Sequence, residues 1–165
     1  MSEITIYTDG SCLANRGVGF GGWAAYFRCG KDRWLLSGAQ EETMSYAMEL
    51  TAIREALRSL KSPKKIIIFC DCKPIVVNMN ERIASWAVDG FHNRLFSDLY
   101  RDIWDEIQKH ERVRFKWIRS HNGIHENELV DHYAGLAAEG LRMLKHTEKK
   151  HRYYQKLSRS KYFKI

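Results

Sequence analysis

Lys64-Lys65-Ile66-Ile67-Ile68-Phe69-Cys70-Asp71 is the stretch on which the fold turns. It is short, continuously apolar and β-branched up to an acid. A strand without alternation has both faces covered, as in the parallel interior of a sheet layered by helices. Residues 44–61 before it read as a helix. Residues 74–110 after it read as mostly helical, broken around Asp89-Gly90. Further out, Glu3–Thr8 alternates and is rich in β-formers, so it predicts a strand. GGWAAYFRC (21–29) and DRWLLSGA (32–39) predict two more, joined by a hairpin at Cys29-Gly30-Lys31-Asp32. Val113, Phe115 and Trp117 alternate with Arg114 and Lys116 and make another strand. A helix from about Glu126 to Leu144 follows. The elements predict an α/β fold on one mixed sheet. Gly17-Val18-Gly19-Phe20-Gly21-Gly22 matches G-x-G-x-x-G but leads into an aromatic strand, whereas a dinucleotide fingerprint opens a helix.

The chain has 165 residues, 44% of them hydrophobic and 28% charged, which excludes wholesale disorder. No apolar run approaches the ~20 residues of a membrane span. MSEITIYTDG lacks the basic start and apolar stretch of a signal peptide, so the expectation is a cytoplasmic protein with reduced Cys12, Cys29, Cys70 and Cys72. The net charge of +7 is unevenly spread. Residues 142–165 hold nine Lys/Arg and one acid, Glu148, while the rest carries eighteen bases against nineteen acids. Tyr153, Tyr154, Tyr162 and Phe163 lie among those bases. Cations suit phosphates and aromatic rings can stack on bases, so this extension is a candidate nucleic-acid contact. A solvated appendage is the alternative.

Acids occupy positions that local pattern assigns to apolar groups. At ~100° per residue, with Glu49 at 0°, Ile53, Leu57, Leu60, Ala52 and Ala56 fall within about 80° on either side. Arg54, Glu55, Arg58 and Lys61 face the other way. Glu49 therefore sits on a core-facing stripe, where a carboxylate needs a cation, a metal or a raised pKa. A buried salt bridge would also satisfy it. Asp71 ends the apolar strand, where α/β sheets gather ligands. Asp9 closes the first strand, within Thr8-Asp9-Gly10-Ser11; a turn-forming Asp-Gly is its plainer reading. Asp131 precedes Ala134, Gly135 and Ala138, whose small side chains predict a close helix contact beside the carboxylate. Four such acids suit hard divalent cations, which take oxygen ligands. Two ions can activate water and stabilise a leaving oxygen in phosphodiester cleavage.

YTDGSCLANRG (7–17), MEL (48–50), CD (70–71) and SHNGIHENELVDHYA (120–134) together closely resemble bacterial-type (type 1) ribonuclease H, over roughly residues 3–140. The resemblance implies the ribonuclease H-like fold, a five-stranded mixed sheet flanked by helices. To this the chain adds a basic C-terminal extension, giving a catalytic domain over 1–144 and an extension over 145–165. It implies endonucleolytic hydrolysis of the RNA strand of RNA–DNA hybrids by two metal ions, with 5′-phosphate and 3′-hydroxyl products. The cofactor would be Mg²⁺, two ions per site, with Mn²⁺ as a substitute. The family's metal-binding carboxylates match Asp9, Glu49, Asp71 and Asp131. By the family's assignment, Asp9, Glu49 and Asp71 hold the ion near the leaving oxygen, and Asp9 and Asp131 the one that activates water. Its mobile loop histidine matches His121, and its acid–amide pair before the last metal ligand matches Glu126 and Asn127. Substrate-facing positions fall on Cys12, Asn15, Ser45, Tyr46, Cys72 and Asn127. The expected partner is an RNA–DNA hybrid, bound by a monomer without a membrane.

Several positions depart from the family. Its paired asparagines are Ser45 and Tyr46 here, its phosphate-contacting threonine is Met44, and the serine after the strand-end aspartate is Cys72. The protrusion that is basic in many bacterial members, residues 78–106, has three bases against six acids. Trp23, Trp34, Trp104 and Trp117 fit core positions better than stacking platforms. His121 lies in a polar loop, where an imidazole can move a proton at the leaving group. Two readings compete: a non-catalytic hybrid or duplex-RNA binder on the same fold, and a DNA-acting superfamily relative. SHNGIHENELVD favours ribonuclease H.

Overall fold

The structure is a computed structural model that describes residues 3–15 and 17–158, with side chains described for 3–14 and 17–152. Strands β1 (Ile4–Asn15), β2 (Val18–Cys29) and β3 (Asp32–Thr43) form an antiparallel meander, followed by helix α1 (Ser45–Ser59). Strand β4 (Lys65–Cys70) leads into helix α2 (Lys73–Val77), a π-helical turn over Asn78–Arg82, and helices α3 (Ile83–Val88) and α4 (Ser97–Ile107). Strand β5 (Arg112–Trp117) and helix α5 (His125–Ser158) complete the order. The sheet runs β3-β2-β1-β4-β5, with β4 parallel to both of its neighbours. The interior place of β4, between β1 and β5, explains its unbroken apolar sequence.

Alternate residues of β4 serve two cores. Ile66, Ile68 and Cys70 are fully buried with Leu50, Ile53 and Leu57 of α1. Phe69 points to the other face, stacks on Tyr7 at 4.9 Å, and packs with Val130 and Ala134 of α5. Full burial of each large aliphatic side chain contributes ~1.5–3 kcal/mol, so both helices are anchored by what they cover.

Two boundaries differ from the sequence expectation. β1 does not stop at Thr8: its pairing with β4 ends at Thr8↔Cys70, but pairing with β2 continues from Asp9↔Ala24 to Asn15↔Val18. Asp9 is thus interior to a strand, one residue beyond the parallel ladder. The glycine-rich start of β2 accepts this long antiparallel partner, overriding the weak strand propensity of Gly10-Ser11-Cys12. α5 likewise runs on through Ser158, so the 144/145 division falls inside one helix. Residues 159–165, including Tyr162 and Phe163, lie outside the described residues, as do the side chains of Asn15, Tyr153 and Tyr154.

Candidate active site

Two glycines bring the acidic elements together. A Cβ on Gly10 would lie 2.2 Å from the backbone nitrogen of Glu49 and 2.4 Å from the carbonyl carbon of Met48. Only a residue without a side chain lets β1 run this close to the first turns of α1. A Cβ on Gly22 would lie 2.0 Å from the carbonyl oxygen of Ala134 and 2.6 Å from the nitrogen of Ala138. β2 therefore sits directly on α5, with both alanines buried. Gly135 is not part of this contact, because a Cβ there would meet nothing within 4 Å; the seam follows positions 134 and 138 at i, i+4 spacing.

The acids meet at the carboxyl end of β4. Asp9 and Glu49 are 5% and 7% exposed, and their carboxyl groups share a hydrogen bond. The Gly10 N–H donates to Asp9 Oδ1 at 2.8 Å. Carboxylate oxygens of Glu49 and Asp71 and the Sγ of Cys70 lie within 4.8 Å of one another. Asp71 is half-buried, and the Asn127 amide hydrogen-bonds to its carboxylate. Asp131 and His121 are exposed, and the charges of both bear on Asp71. His121 holds a left-handed backbone at φ 50° in the loop before α5.

Burial dominates the electrostatics. It pushes Asp9 up to about 7, against the shared hydrogen bond with Glu49, which favours the charge on Asp9. Burial, then the neighbouring charge of Asp9, raises Glu49 well above the ordinary carboxylate range. Burial also raises Asp71, while Asn127 opposes the shift. Such a set is poised for divalent cations: acids that must otherwise hold protons can release them to a metal. Asn127 supports this fit, because its buried Oδ1 has no hydrogen-bond partner. Asp9, Glu49, Asp71 and Asp131 provide the all-oxygen donors that Mg²⁺ or Mn²⁺ prefer. Cys70 fits a different role. Burial and Glu49 raise its thiol, which stays protonated and donates to Glu49 Oε2 at 3.9 Å.

A family model described as RNase H matches residues 1–139. The chain belongs to the RNase H family. "Ribonuclease H" of Campylobacter jejuni subsp. jejuni serotype O:23/36 is 37% identical over 151 residues, covering 92% of this chain and all of the relative. "Ribonuclease H" of Geotalea uraniireducens is 37% identical over 141 residues, covering 83% of this chain and 95% of the relative. Among solved structures, LC9-RNase H1, described as a type 1 RNase H with the type 2 active-site motif, superposes with a TM-score of 0.76 at 24% identity. That match covers 85% of this chain and 74% of the other. LC11-RNase H1, solved in complex with RNA/DNA hybrid, gives 0.61 at 19% identity, covering 81% and 98%. The chain is accordingly a metal-dependent nuclease with the five-stranded RNase H fold.

The remaining predicted site residues make separate contacts around these elements. Ser45 is exposed, its hydroxyl donating to the carbonyl of Gly10 at 3.4 Å. Cys12 donates to the carbonyl of Thr43 at 3.3 Å, and the Cys72 N–H donates to Cys70 Sγ at 3.4 Å. Glu126 and Asn127 belong to the first turn of α5, and Glu126 pairs with Arg28 of β2 at 2.6 Å. Tyr46 is half-buried. Its hydroxyl lies 2.7 Å from that of Tyr100, and the Asn78 amide donates to both oxygens. Tyr46, Asn78 and Tyr100 line a cavity of about 420 Å³ together with Trp86, Arg94 and Phe96.

The sequence reading missed this cavity, because no local pattern links Asn78 and Tyr100 to Tyr46. It also misplaced Trp117 in the core. The indole is 46% exposed, donates to the carbonyl of Asp71 at 2.9 Å and lies under Lys73. The signal was its last place in β5, opposite Cys70.

Proposed function

We propose that the chain hydrolyses the RNA strand of RNA–DNA hybrids endonucleolytically, leaving 5′-phosphate and 3′-hydroxyl ends. The observation that carries this reading is the convergence of Asp9, Glu49 and Asp71 at the end of β4, beneath the exposed Asp131 and His121. Two divalent cations, Mg²⁺ or Mn²⁺, would be held by Asp9, Glu49 and Asp71 and by Asp9 and Asp131; when bound they supply an activated water and neutralise charge on the leaving oxygen. The chain's own groups do the rest. Asn127 orients the Asp71 carboxylate. Gly10 fixes the spacing of Asp9 and Glu49. His121, exposed on its loop, moves a proton at the leaving oxygen. Cys12, Asn15, Ser45, Tyr46 and Cys72 border the substrate, and choice of the RNA strand rests on its 2′-hydroxyls. Residues 1–144 form the catalytic domain, and residues 145–165 extend it toward nucleic acid. The enzyme works as a cytoplasmic monomer; among the described residues no helix is long and apolar enough to cross a membrane.

The test is cleavage of end-labelled hybrid, duplex RNA and duplex DNA of one sequence with Mg²⁺ and with EDTA. Metal-dependent internal cuts confined to the RNA of the hybrid, with 3′-hydroxyl ends that a polymerase extends, support the reading. Cleavage of duplex DNA, or binding without cleavage, overturns it.

A further inference from the structure

The cations of the protrusion are already engaged. Arg94 pairs with Asp89 at 2.5 Å and lies over Trp86, Arg101 pairs with Asp98 at 3.1 Å, and Arg82 donates to Asn78 at 3.0 Å. Residues 78–106 hold six acids against these three arginines. A polyanionic duplex finds no net positive surface there.

α5 has the opposite design. With Ala138 at 0° and ~100° per residue, Asn127, Val130 and Ala134 fall between about −80° and −20°, on the face that packs against the sheet. All four are buried. The same face continues beyond the sheet with Arg152, Lys145 and Lys149 between about −40° and +20°, and Arg142 at about +40°. Arg142, Lys149 and Arg152 are exposed. Lys145 ties the start of the overhang to β3 by pairing with Glu41 at 2.6 Å, and Arg142 pairs with Glu139 one turn back. Residues 142–152 nevertheless hold five bases against one acid, Glu148, so the overhang keeps the net positive charge that the protrusion lacks. A helix face that buries alanine and valine over the sheet thus turns cationic where the sheet ends.

Resting on the hybrid-nuclease reading, we propose that the C-terminal overhang of α5 is a second nucleic-acid site, a cationic stripe of Arg142, Lys149 and Arg152 that grips duplex backbone phosphates outside the scissile position. From Arg142 to Arg152 the stripe spans about 15 Å, beginning about 16 Å along the axis from Asp131, at ~1.5 Å per residue. Each strand of a duplex carries one phosphate per ~3.4 Å of axial rise, so each of the three cations can meet a phosphate over that length. Its contacts are electrostatic and read no bases, so they do not distinguish a hybrid from a DNA duplex.

The test measures binding of the full chain to fluorescent 18-base-pair hybrid and to DNA of the same sequence, in EDTA, across a salt series. The variant R142Q/K149Q/R152Q is compared with the charge-conserving R142K/K149R/R152K, and helicity is checked by circular dichroism. Each phosphate contact contributes roughly −0.9 to the log–log salt slope on B-form DNA. The glutamine variant is expected to bind both duplexes at least tenfold more weakly at 0.1 M salt, with the DNA slope reduced by about 2–3. The charge-conserving variant keeps native affinity. Unchanged affinity and slope, or a loss confined to the hybrid, overturns the proposal. Hybrid cleavage by the native chain in Mg²⁺ is scored separately. If the stripe governs binding but nothing is cut, the hydrolase reading falls and the stripe stands.

Discussion

The carboxyl end of β4 and the protrusion over residues 78–106 treat charge in opposite ways. At the strand end, Asp9 and Glu49 are buried beside Asp71, and among the described residues no Lys or Arg pairs with any of the three; the Gly10 contact holds them on rigid elements. In the protrusion most charges are exposed or part-exposed, and several are paired, Arg94 with Asp89, Arg101 with Asp98, and Asp102 with Arg54 and Arg58 of α1. Unmatched buried charge is costly, and proteins keep it where a ligand completes it. Matched surface charge contributes little to stability and leaves little for a ligand. The first region is built to be completed and the second is complete already.

The strongest way to break that comparison is to neutralise the strand end. Asp71→Asn keeps the shape and removes one charge from the set. Hydrolysis of a labelled hybrid in saturating Mg²⁺ should fall to background, by more than the ~10²–10⁴-fold typical of a general acid–base group. Hybrid binding in EDTA should be largely kept. Turnover close to native would remove Asp71 from the metal set.

His121 sharpens the same contrast, because it is exposed yet close enough to act on Asp71. For His121→Ala we expect turnover to drop ~10²–10⁴-fold while metal affinity, followed by calorimetry, is unchanged. Lost metal affinity would instead make the imidazole a ligand.

How much of this was legible in sequence depends on how local the cause is. The apolar run 66–70 declared an interior strand because burial on both faces leaves no polar position. Glu49 showed itself by falling on an apolar helical stripe. The long reach of β1 was not legible, since it depends on pairing with β2, and Asp9 consequently looked like a turn residue. Glycine in the middle of a strand was the overlooked clue: Gly10 and Gly22 mark where another backbone comes within contact. Trp117 and the Tyr46–Tyr100–Asn78 network escaped because their partners are brought together only by tertiary packing. The continuation of α5 was hidden by its composition, since a basic run reads as solvated whether or not it is helical.

Metal-free stability should carry the imprint of the buried acids. Asp9 titrates at about 7 in the folded protein, against an ordinary value near 3.8, so the native state binds more protons than the unfolded chain between those values. Stability must therefore fall as pH rises through that window, and Glu49, raised in the same direction, extends the fall upward. In EDTA, the denaturation midpoint at pH 8 should lie below that at pH 5, by on the order of 1–3 kcal/mol in unfolding free energy. Asp9→Asn should flatten the difference, and Mg²⁺ should reverse part of it in the native chain by stabilising the ionised form. A metal-free protein whose stability rises from pH 5 to pH 8 would contradict the buried-acid arrangement.

The smallest effect belongs to the protrusion's side of the comparison. Tyr100 is 2% exposed, and its hydroxyl contacts Tyr46 while accepting from Asn78. Tyr100→Phe removes that oxygen and leaves the ring on Trp86, 5.1 Å away in an edge arrangement. Two neutral hydrogen bonds go with it, each worth about 0.5–1.5 kcal/mol net, while Tyr46 and Asn78 still have each other at 3.4 Å. The expected cost is therefore about 1–2 kcal/mol in denaturant unfolding, with the slope of the transition unchanged. Because this network is neutral and internally satisfied, the salt dependence of hybrid binding should not move. A changed salt slope in Tyr100→Phe would show that the cavity beside Arg94 takes part in holding phosphate, and the protrusion would no longer be the complete half of the pair.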